Sequence, residues 1–405
     1  MASLTEIDSL VLLLTAQCNL RCSYCYQNAK KSRRMSWRTL GAAVDLALRS
    51  RRPEVELLFM GGEPLLEFPA IQRAVAYARR RCPPDKRLRF AISTNGTLIT
   101  NEIAAFLAEN GFRTQLSFDG IPAAQDLRSK GTFGVLDRLL GRLRRDHPEF
   151  FSHRFRVSIT LTPPGIGHLA RSFDYFLARG VRHVAIAPAM VPDSSLAEER
   201  REKLDEQFFK ICESSLRHFA RKGEVPLQMF RKDAVTKPRR RRDDTMCGVM
   251  SGRNPAVDVN GQVLACALFA ESFQRYRSPL LMSRLQPLRL GHVADRELPE
   301  RFSRLAQAAR QAAIFDHREK KYSSLGRCRD CRYIEGCSIC PVSIFCDPAN
   351  TDPDRVPDFT CAFNQTLLKY RARFLKATAA SAQEKHQGLR ASAMARSTHG
   401  DGRRV

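Results

Sequence analysis

The sequence predicts an α/β fold of parallel strands with a smaller cysteine-rich unit behind it, on three observations. Short apolar runs alternate with longer amphipathic ones through the first half. Polar, glycine-bearing motifs close several of those runs, and eight of the 13 cysteines fall after residue 246. With 405 residues, 43% of them hydrophobic, the chain can bury a large core, and at about 100 to 200 residues per domain two or three units are expected.

Residues 10–14, 55–60, 88–93, 115–118, 155–161 and 183–187 read as strands. Helical periodicity marks segments between them, as in 39–48, 70–80 and 101–109. Strand-helix alternation implies parallel strands, because parallel neighbours need a crossover connection. Six such units, over residues 1–190, make a barrel, complete or partial, whose working residues gather where strands end and loops begin. Residues 191–245 form a charged helical bridge and a basic linker, and 246–375 form the cysteine-rich unit. The remainder, 376–405, is rich in Ala, Ser, Arg and Gly without apolar periodicity, which predicts a disordered tail. No internal repeat is present.

Lys+Arg 67 against Asp+Glu 42 gives a net charge of +25, which ordinarily points to a polyanion. Here the excess is mostly arginine, scattered over helix faces and linkers. The densest run, Lys237-Pro-Arg-Arg-Arg-Arg242, adjoins Asp243 and Asp244 and has no interleaved aromatics, so it reads as a solvated linker rather than a stacking groove. Nucleic acid is therefore not the expected partner, and an acidic peptide is a weaker idea for what the surface attracts. No signal peptide and no stretch approaching a membrane span is seen, which predicts a cytoplasmic protein with reduced thiols and no membrane partner.

The most informative motif is Cys18-Asn-Leu-Arg-Cys22-Ser-Tyr24-Cys25, directly after the first apolar run. A cubane iron-sulfur cluster takes four thiolates, and this loop offers three, which leaves one iron open for chemistry. Zinc is the plain alternative, but zinc sites complete four ligands through paired CxxC or His spacings, and no fourth cysteine or histidine lies near. The spacing, with an aromatic before the last cysteine, resembles the signature of the radical S-adenosylmethionine (SAM) superfamily. The resemblance implies a partial (β/α)6 TIM-like barrel, open on one side for a large substrate. It also implies a 4Fe-4S cluster on Cys18, Cys22 and Cys25 whose open iron binds SAM and yields a 5'-deoxyadenosyl radical.

Gly61-Gly62-Glu63-Pro64 follows the second strand. Two glycines let backbone approach a ligand closely, and Glu63 can accept hydrogen bonds from an ammonium group. The run resembles the family's GGEP motif, which contacts the SAM amino group. Ser93-Thr-Asn95-Gly96 and Ser117-Phe-Asp119-Gly120 end the third and fourth strands. By the same resemblance Ser93, Asn95 and Ser117 contact ribose or carboxylate, Arg128 adds a carboxylate contact, and Tyr24 belongs to the cofactor site. Read alone, each is a polar turn residue or helix cap as readily as a ligand contact.

In the second half Cys247 and Cys266 bracket Gly261, and then come Cys328, Cys331, Cys337, Cys340, Cys346 and Cys361. The CxxC pairs alone read as zinc ribbons. After such a barrel the set resembles the SPASM domain, which carries auxiliary iron-sulfur clusters. Carried over, Cys328, Cys331, Cys337 and Cys361 hold an outer cluster, and Cys247, Cys266 and Cys340 most of an inner one. The family usually has three residues between the last two cysteines of the central run, whereas Cys337 and Cys340 are separated by two, so Cys340, Cys346 or both complete the inner cluster. Cys82 and Cys212 lie outside every pattern and read as packing residues.

The family modifies peptide or protein side chains, which implies a peptide or protein substrate and an electron donor such as flavodoxin or ferredoxin. The barrel begins almost at Met1, without room for a winged leader-binding domain, so leader recognition would need a separate protein or the SPASM surface. Sulfatase-maturing relatives carry an aspartate after the inner-cluster cysteine as a candidate base. Here Ala267 follows Cys266, which places peptide crosslinking first and formylglycine formation second. A nucleic-acid-modifying radical enzyme and a non-catalytic metal protein are the readings from other classes.

Overall fold

The computed structural model describes residues 6–27, 33–192, 196–234, 249, 252–273, 275, 278, 283–311, 328, 330–334, 336–337, 340–344 and 356–397. Six parallel strands carry the first half: β1 (Ser9–Leu13), β2 (Glu54–Met60), β3 (Arg87–Thr94), β4 (Arg113–Ser117), β5 (Phe155–Leu161) and β6 (Val184–Pro188). They pair in chain order, each with its successor. Between them lie α1 (Trp37–Leu48), α2 (Phe68–Arg81), α3 (Asn101–Glu109), α4 (Pro122–Arg128), α5 (Phe133–Asp146), α6 (Pro148–His153) and α7 (Leu169–Ala178). Local chemistry sets several starts. Ser36 caps α1 by accepting from Thr39 N, and Thr100 caps α3 by accepting from Ile103 N.

Alternation in the strands separates a helix-covered outer face from an inner one. Along β5 Phe155, Val157, Ile159 and Leu161 are buried under the helices, while the residues between them are half-buried. The inward row is polar: Ser93, Gln115 and Arg156 stand in register across β3, β4 and β5. Glu56 of β2 accepts there from Ser9 Oγ (3.2 Å) and Arg113 Nη2 (2.6 Å). On β1 and β2 the same face carries Val11, Leu13, Leu58 and Met60 in register, so the inner face is apolar at one side and polar from β3 to β5. The apolar layer lies outside, where Phe112 stacks on Phe59 (5.9 Å) and on Phe90 (5.4 Å). Each such fully buried aromatic contributes roughly 1.5–3 kcal/mol.

Beyond the predicted six strands the sheet continues. β7 (Ala256–Val257) pairs in parallel with β1, and β8 (Gln262–Leu264) and β9 (Arg289–His292) add antiparallel, giving the order β6-β5-β4-β3-β2-β1-β7-β8-β9. The cysteine-rich half thus shares a sheet with the barrel. These strands are two to four residues long, too short for sequence periodicity to register.

In the predicted bridge, α8 (Glu198–Lys222) ends at Gly223 with φ +69°. Its main partner is α11 (Asp358–Ser397), with Phe208 against Phe363 at 5.5 Å and Lys369 and Tyr370 both on Asp205 at 2.7 Å. Between them in sequence lie α9 (Leu298–Gln311) and the short α10 (Pro341–Ile344). α11 runs past residue 376, where the sequence predicts a disordered tail. Alanine dominates that stretch, and its high helix propensity extends the helix without an apolar stripe. Cys247, Cys346 and the basic run 237–242 lie outside the described residues.

Candidate active site

Backbone ladders bring the cysteine loop and the Gly-Gly turn together. Leu14 N donates to Met60 O (2.9 Å), Gly62 N to Thr15 O (2.8 Å) and Glu63 N to Gln17 O (2.8 Å). A Cβ on Gly61, which has φ +142°, would stand 2.4 Å from Thr15 O, and one on Gly62 would stand 1.9 Å from Gln17 O. Whatever they offer a ligand, the glycines are required by the approach of this turn to the cysteine loop.

The Glu63 side chain turns inward. It is fully buried, with Oε1 accepting from Leu65 N (3.1 Å) and Thr94 Oγ1 (2.7 Å), and Oε2 from Asn95 N (2.7 Å). Burial pushes its carboxyl up to about 7, against the pull of those three donors. This carboxylate braces the ends of β2 and β3.

Cys18, Cys22 and Cys25 are half-buried on the loop after β1. Cys25 N closes a turn onto Cys22 O (3.1 Å), and Leu20 N and Asn95 Nδ2 approach Cys18 Sγ at 3.4 and 3.8 Å. Asn95 also donates to Asn19 Oδ1 (2.8 Å) while accepting from Thr97 N and Oγ1. Among the described residues no three His, Cys, Asp or Glu side chains gather as for a single metal ion. Three soft thiols on one loop, with N–H donors directed at a sulfur, fit an iron-sulfur cluster, whose ligands sit on separate corners and take such hydrogen bonds. The donor set is therefore right for the cluster that the motif implies.

Ser93 and Ser117 are half-buried at the ends of β3 and β4, with Ser93 Oγ accepting from Gln115 Nε2 at 3.4 Å. Arg128 is differently placed. At 7% exposure, it donates through Nε and Nη2 to Asp119 Oδ2 and Oδ1 (3.1 and 2.8 Å), and Nη2 also reaches Thr160 Oγ1 (3.1 Å). Asp119 accepts as well from Thr160 N (2.8 Å) and from the Tyr24 hydroxyl. Burial, and then the Asp119 carboxylate, raise the Tyr24 hydroxyl well above the usual phenol range, with Arg128 opposing, so it stays a donor. Arg128 is thus occupied by a carboxylate of its own chain. The sequence shows Asp119 in a strand-end motif but not what it does, because its partners lie on three other segments.

The C-terminal cysteines sit in tight turns. Cys331 N donates to Cys328 O (3.0 Å), Ile334 N to Cys331 O (3.1 Å) and Cys337 N to Ile334 O (3.3 Å). Cys340 O accepts from Ser343 N (2.9 Å) and Oγ (2.6 Å), and Gln365 Nε2 approaches Cys361 Sγ at 3.5 Å. Cys266 precedes a short turn, Ala267–Phe269. The segment after it docks on the first cysteine loop: Phe273 packs edge-on against Tyr26 at 5.0 Å, and Arg275 N donates to Tyr26 O (2.9 Å). Nothing in the sequence pattern pointed to Phe273 or Arg275. Cys82 is half-buried and Cys212 fully buried.

Residues 12–148 match the sequence profile of the Radical SAM superfamily. They are a radical SAM domain. The matched span holds all three cysteines of the first loop, the Gly-Gly turn and the Tyr24–Asp119–Arg128 network. Among curated relatives, the cysteine-type anaerobic sulfatase-maturating enzyme of Clostridium perfringens is 25% identical over 201 residues, 46% of this chain and 52% of that one. The chain spans about half the length of the first curated relatives it matches. Among solved structures, native anSMEcpe with bound AdoMet and Kp18Cys peptide superposes with a TM-score of 0.69 at 18% identity, covering 91% of this chain and 98% of that one. Streptococcus suis SuiB bound to precursor peptide SuiA gives 0.56 at 14% identity, covering 89% and 76%. At those identities the shared property is the fold. The superfamily uses a 4Fe-4S cluster and SAM. No described helix is long and apolar enough to cross a membrane.

Proposed function

We propose that this chain is a radical SAM maturase that oxidatively modifies side chains of a peptide or protein, with crosslinking of a ribosomally made peptide as the preferred reaction. One observation carries the reading. A loop of three thiols sits at the strand-end mouth of an unclosed barrel, and the segment after Cys266 is docked directly against it. A cluster on Cys18, Cys22 and Cys25, with SAM on its remaining iron, would supply a 5'-deoxyadenosyl radical able to take a hydrogen atom from the substrate. Around it the Gly61–Gly62 backbone, Ser93, Asn95 and Ser117 would line the SAM site. Glu63 and Arg128 would act on it indirectly, through the loops they brace. Cys266, Cys328, Cys331, Cys337, Cys340 and Cys361, with Cys247 and Cys346, would hold auxiliary clusters.

Crosslinking removes two hydrogens from the peptide, one as an atom and one as a proton and an electron, and auxiliary clusters offer a nearby electron acceptor. Formylglycine formation is the second reading, favoured by the sulfatase-maturating relatives and the anSMEcpe fold. Ala267 counts against it, because no carboxylate follows Cys266 there. The test is to incubate the reconstituted full chain anaerobically with SAM, reductant and a candidate peptide. Crosslinking gives 5'-deoxyadenosine and a peptide lighter by two hydrogens per bond, with no hydrazide-reactive aldehyde. An aldehyde on a sulfatase-derived peptide, with no change in other peptides, would establish the second reading instead.

A further inference from the structure

Ser23 and Tyr24 lie between the second and third cysteines of the loop; Ser23 is tied to the end of α4 and Tyr24 to Asp119, just after β4. Ser23 N donates to Arg128 O (3.3 Å), Ser23 Oγ donates to Leu127 O (2.5 Å), and the Tyr24 hydroxyl donates to Asp119. Asp119 takes four donors on its two oxygens, from Arg128 twice, Thr160 and Tyr24. Asp119, Arg128 and Tyr24 are 4, 7 and 8% exposed, and the guanidinium lies 5.2 Å from the centre of the Tyr24 ring. A fully satisfied buried network of this kind rigidifies what it holds. It joins four segments: the cysteine loop, the end of β4, the end of α4 and β5.

We propose that Asp119 is a positioning residue for the iron-binding loop: with Arg128 it latches the Tyr24 hydroxyl and fixes Cys22 and Cys25 in place before any cluster arrives. This assigns Arg128 to the loop rather than to the SAM carboxylate, and it rests on the radical SAM reading only for what the loop holds. Tyr24→Phe is the discriminating variant, because it removes one hydroxyl and leaves the Asp119–Arg128 pair intact. In iron-free full-length protein, alkylation of each cysteine is followed by mass spectrometry. Cys22 and Cys25 should react about tenfold faster or more in Tyr24→Phe, the effect of losing a hydrogen bond to a charged acceptor. Cys82, on a different segment, should keep its rate, which controls for general loosening.

The second measurement is on anaerobically reconstituted protein, where Tyr24→Phe should shift the reduction potential or the electron paramagnetic resonance signal of the barrel cluster. Unchanged alkylation rates together with an unchanged signal would overturn the latch. Tighter SAM binding to wild type than to Arg128→Gln, with loop alkylation equal in the two, would return Arg128 to the cofactor. If wild type bound no iron while Tyr24→Phe still exposed Cys22 and Cys25, the cluster reading would fail and the latch would stand.

Discussion

In the barrel half each site-bearing loop leaves the end of a hydrogen-bonded strand and is fastened by protein groups: Gly62 and Glu63 to the cysteine loop, Asn95 to Asn19, Asp119 to Tyr24. In the other half the described cysteines between Cys328 and Cys340 are ordered by turns of three or four residues. Ladders and buried polar networks hold the first set without a metal. The second set also packs against the hydrophobic core, and a cluster bound there, as proposed, would couple folding to loading. The contrast teaches that two cysteine sets proposed for one ligand chemistry are placed by different means, strand-end ladders in one and local turns packed on the core in the other.

The largest effect expected from that contrast is a separable loss of iron. Replacing Cys18, Cys22 and Cys25 together with Ala should abolish 5'-deoxyadenosine formation and leave the auxiliary iron, because the latch and ladders do not involve those thiols. Cys328→Ala should do the reverse, losing auxiliary iron but still cleaving SAM. Iron analysis and product assay of both variants decide the matter, and loss of all iron in the triple variant would show that the halves load as one.

Next in size is the buried ion pair. Arg128→Met leaves Asp119 charged and short of its main partner, which should cost about 3–5 kcal/mol in urea unfolding. A cost near that of an exposed pair, below about 1 kcal/mol, would mean that water reaches the latch and that the barrel loop is less self-sufficient than its contacts suggest.

Glu63 gives the smallest of the three effects and one that depends on pH. Its folded-state carboxyl is raised from 4.5 to about 7, so the folded protein holds the proton more tightly than the unfolded chain. Stability from this group is present below pH 4.5 and is lost as pH rises through 7, by about 3 kcal/mol at 1.36 kcal/mol per unit. The unfolding free energy of wild type minus that of Glu63→Gln should fall by that amount between pH 4.5 and 7.5. A flat difference would place the ionised form at no disadvantage in its cradle of three donors.

Legibility in the sequence followed the same division. The six barrel strands stood out as short apolar runs between longer amphipathic segments, and β5 matched residue for residue at 155–161. The three cysteines and the Gly-Gly turn stood out because their spacing is local. What Gly61, Gly62, Glu63 and Arg128 touch did not, because each meets residues from other segments: Thr15, Gln17, Asn95 and Asp119. A motif names the residues, but burial decides whether a side chain meets a ligand or its own fold. β7 to β9 escaped for a different reason, since strands this short are defined by the partner they pair with rather than by their own pattern.

That pairing gives β1 neighbours on both sides. Val11 N donates to Pro255 O (2.9 Å), and Asp8 N and Ser9 N to Arg253 O (2.9 and 3.1 Å). The strand that leads into the catalytic loop is therefore an interior strand, closed off by a segment arriving some 240 residues later in the chain. Cutting the protein at the apparent end of its barrel would uncover a row of unpaired amides beside the cysteine loop, an edge open to pairing with other chains. A different second half would therefore have to cover that edge in some other way.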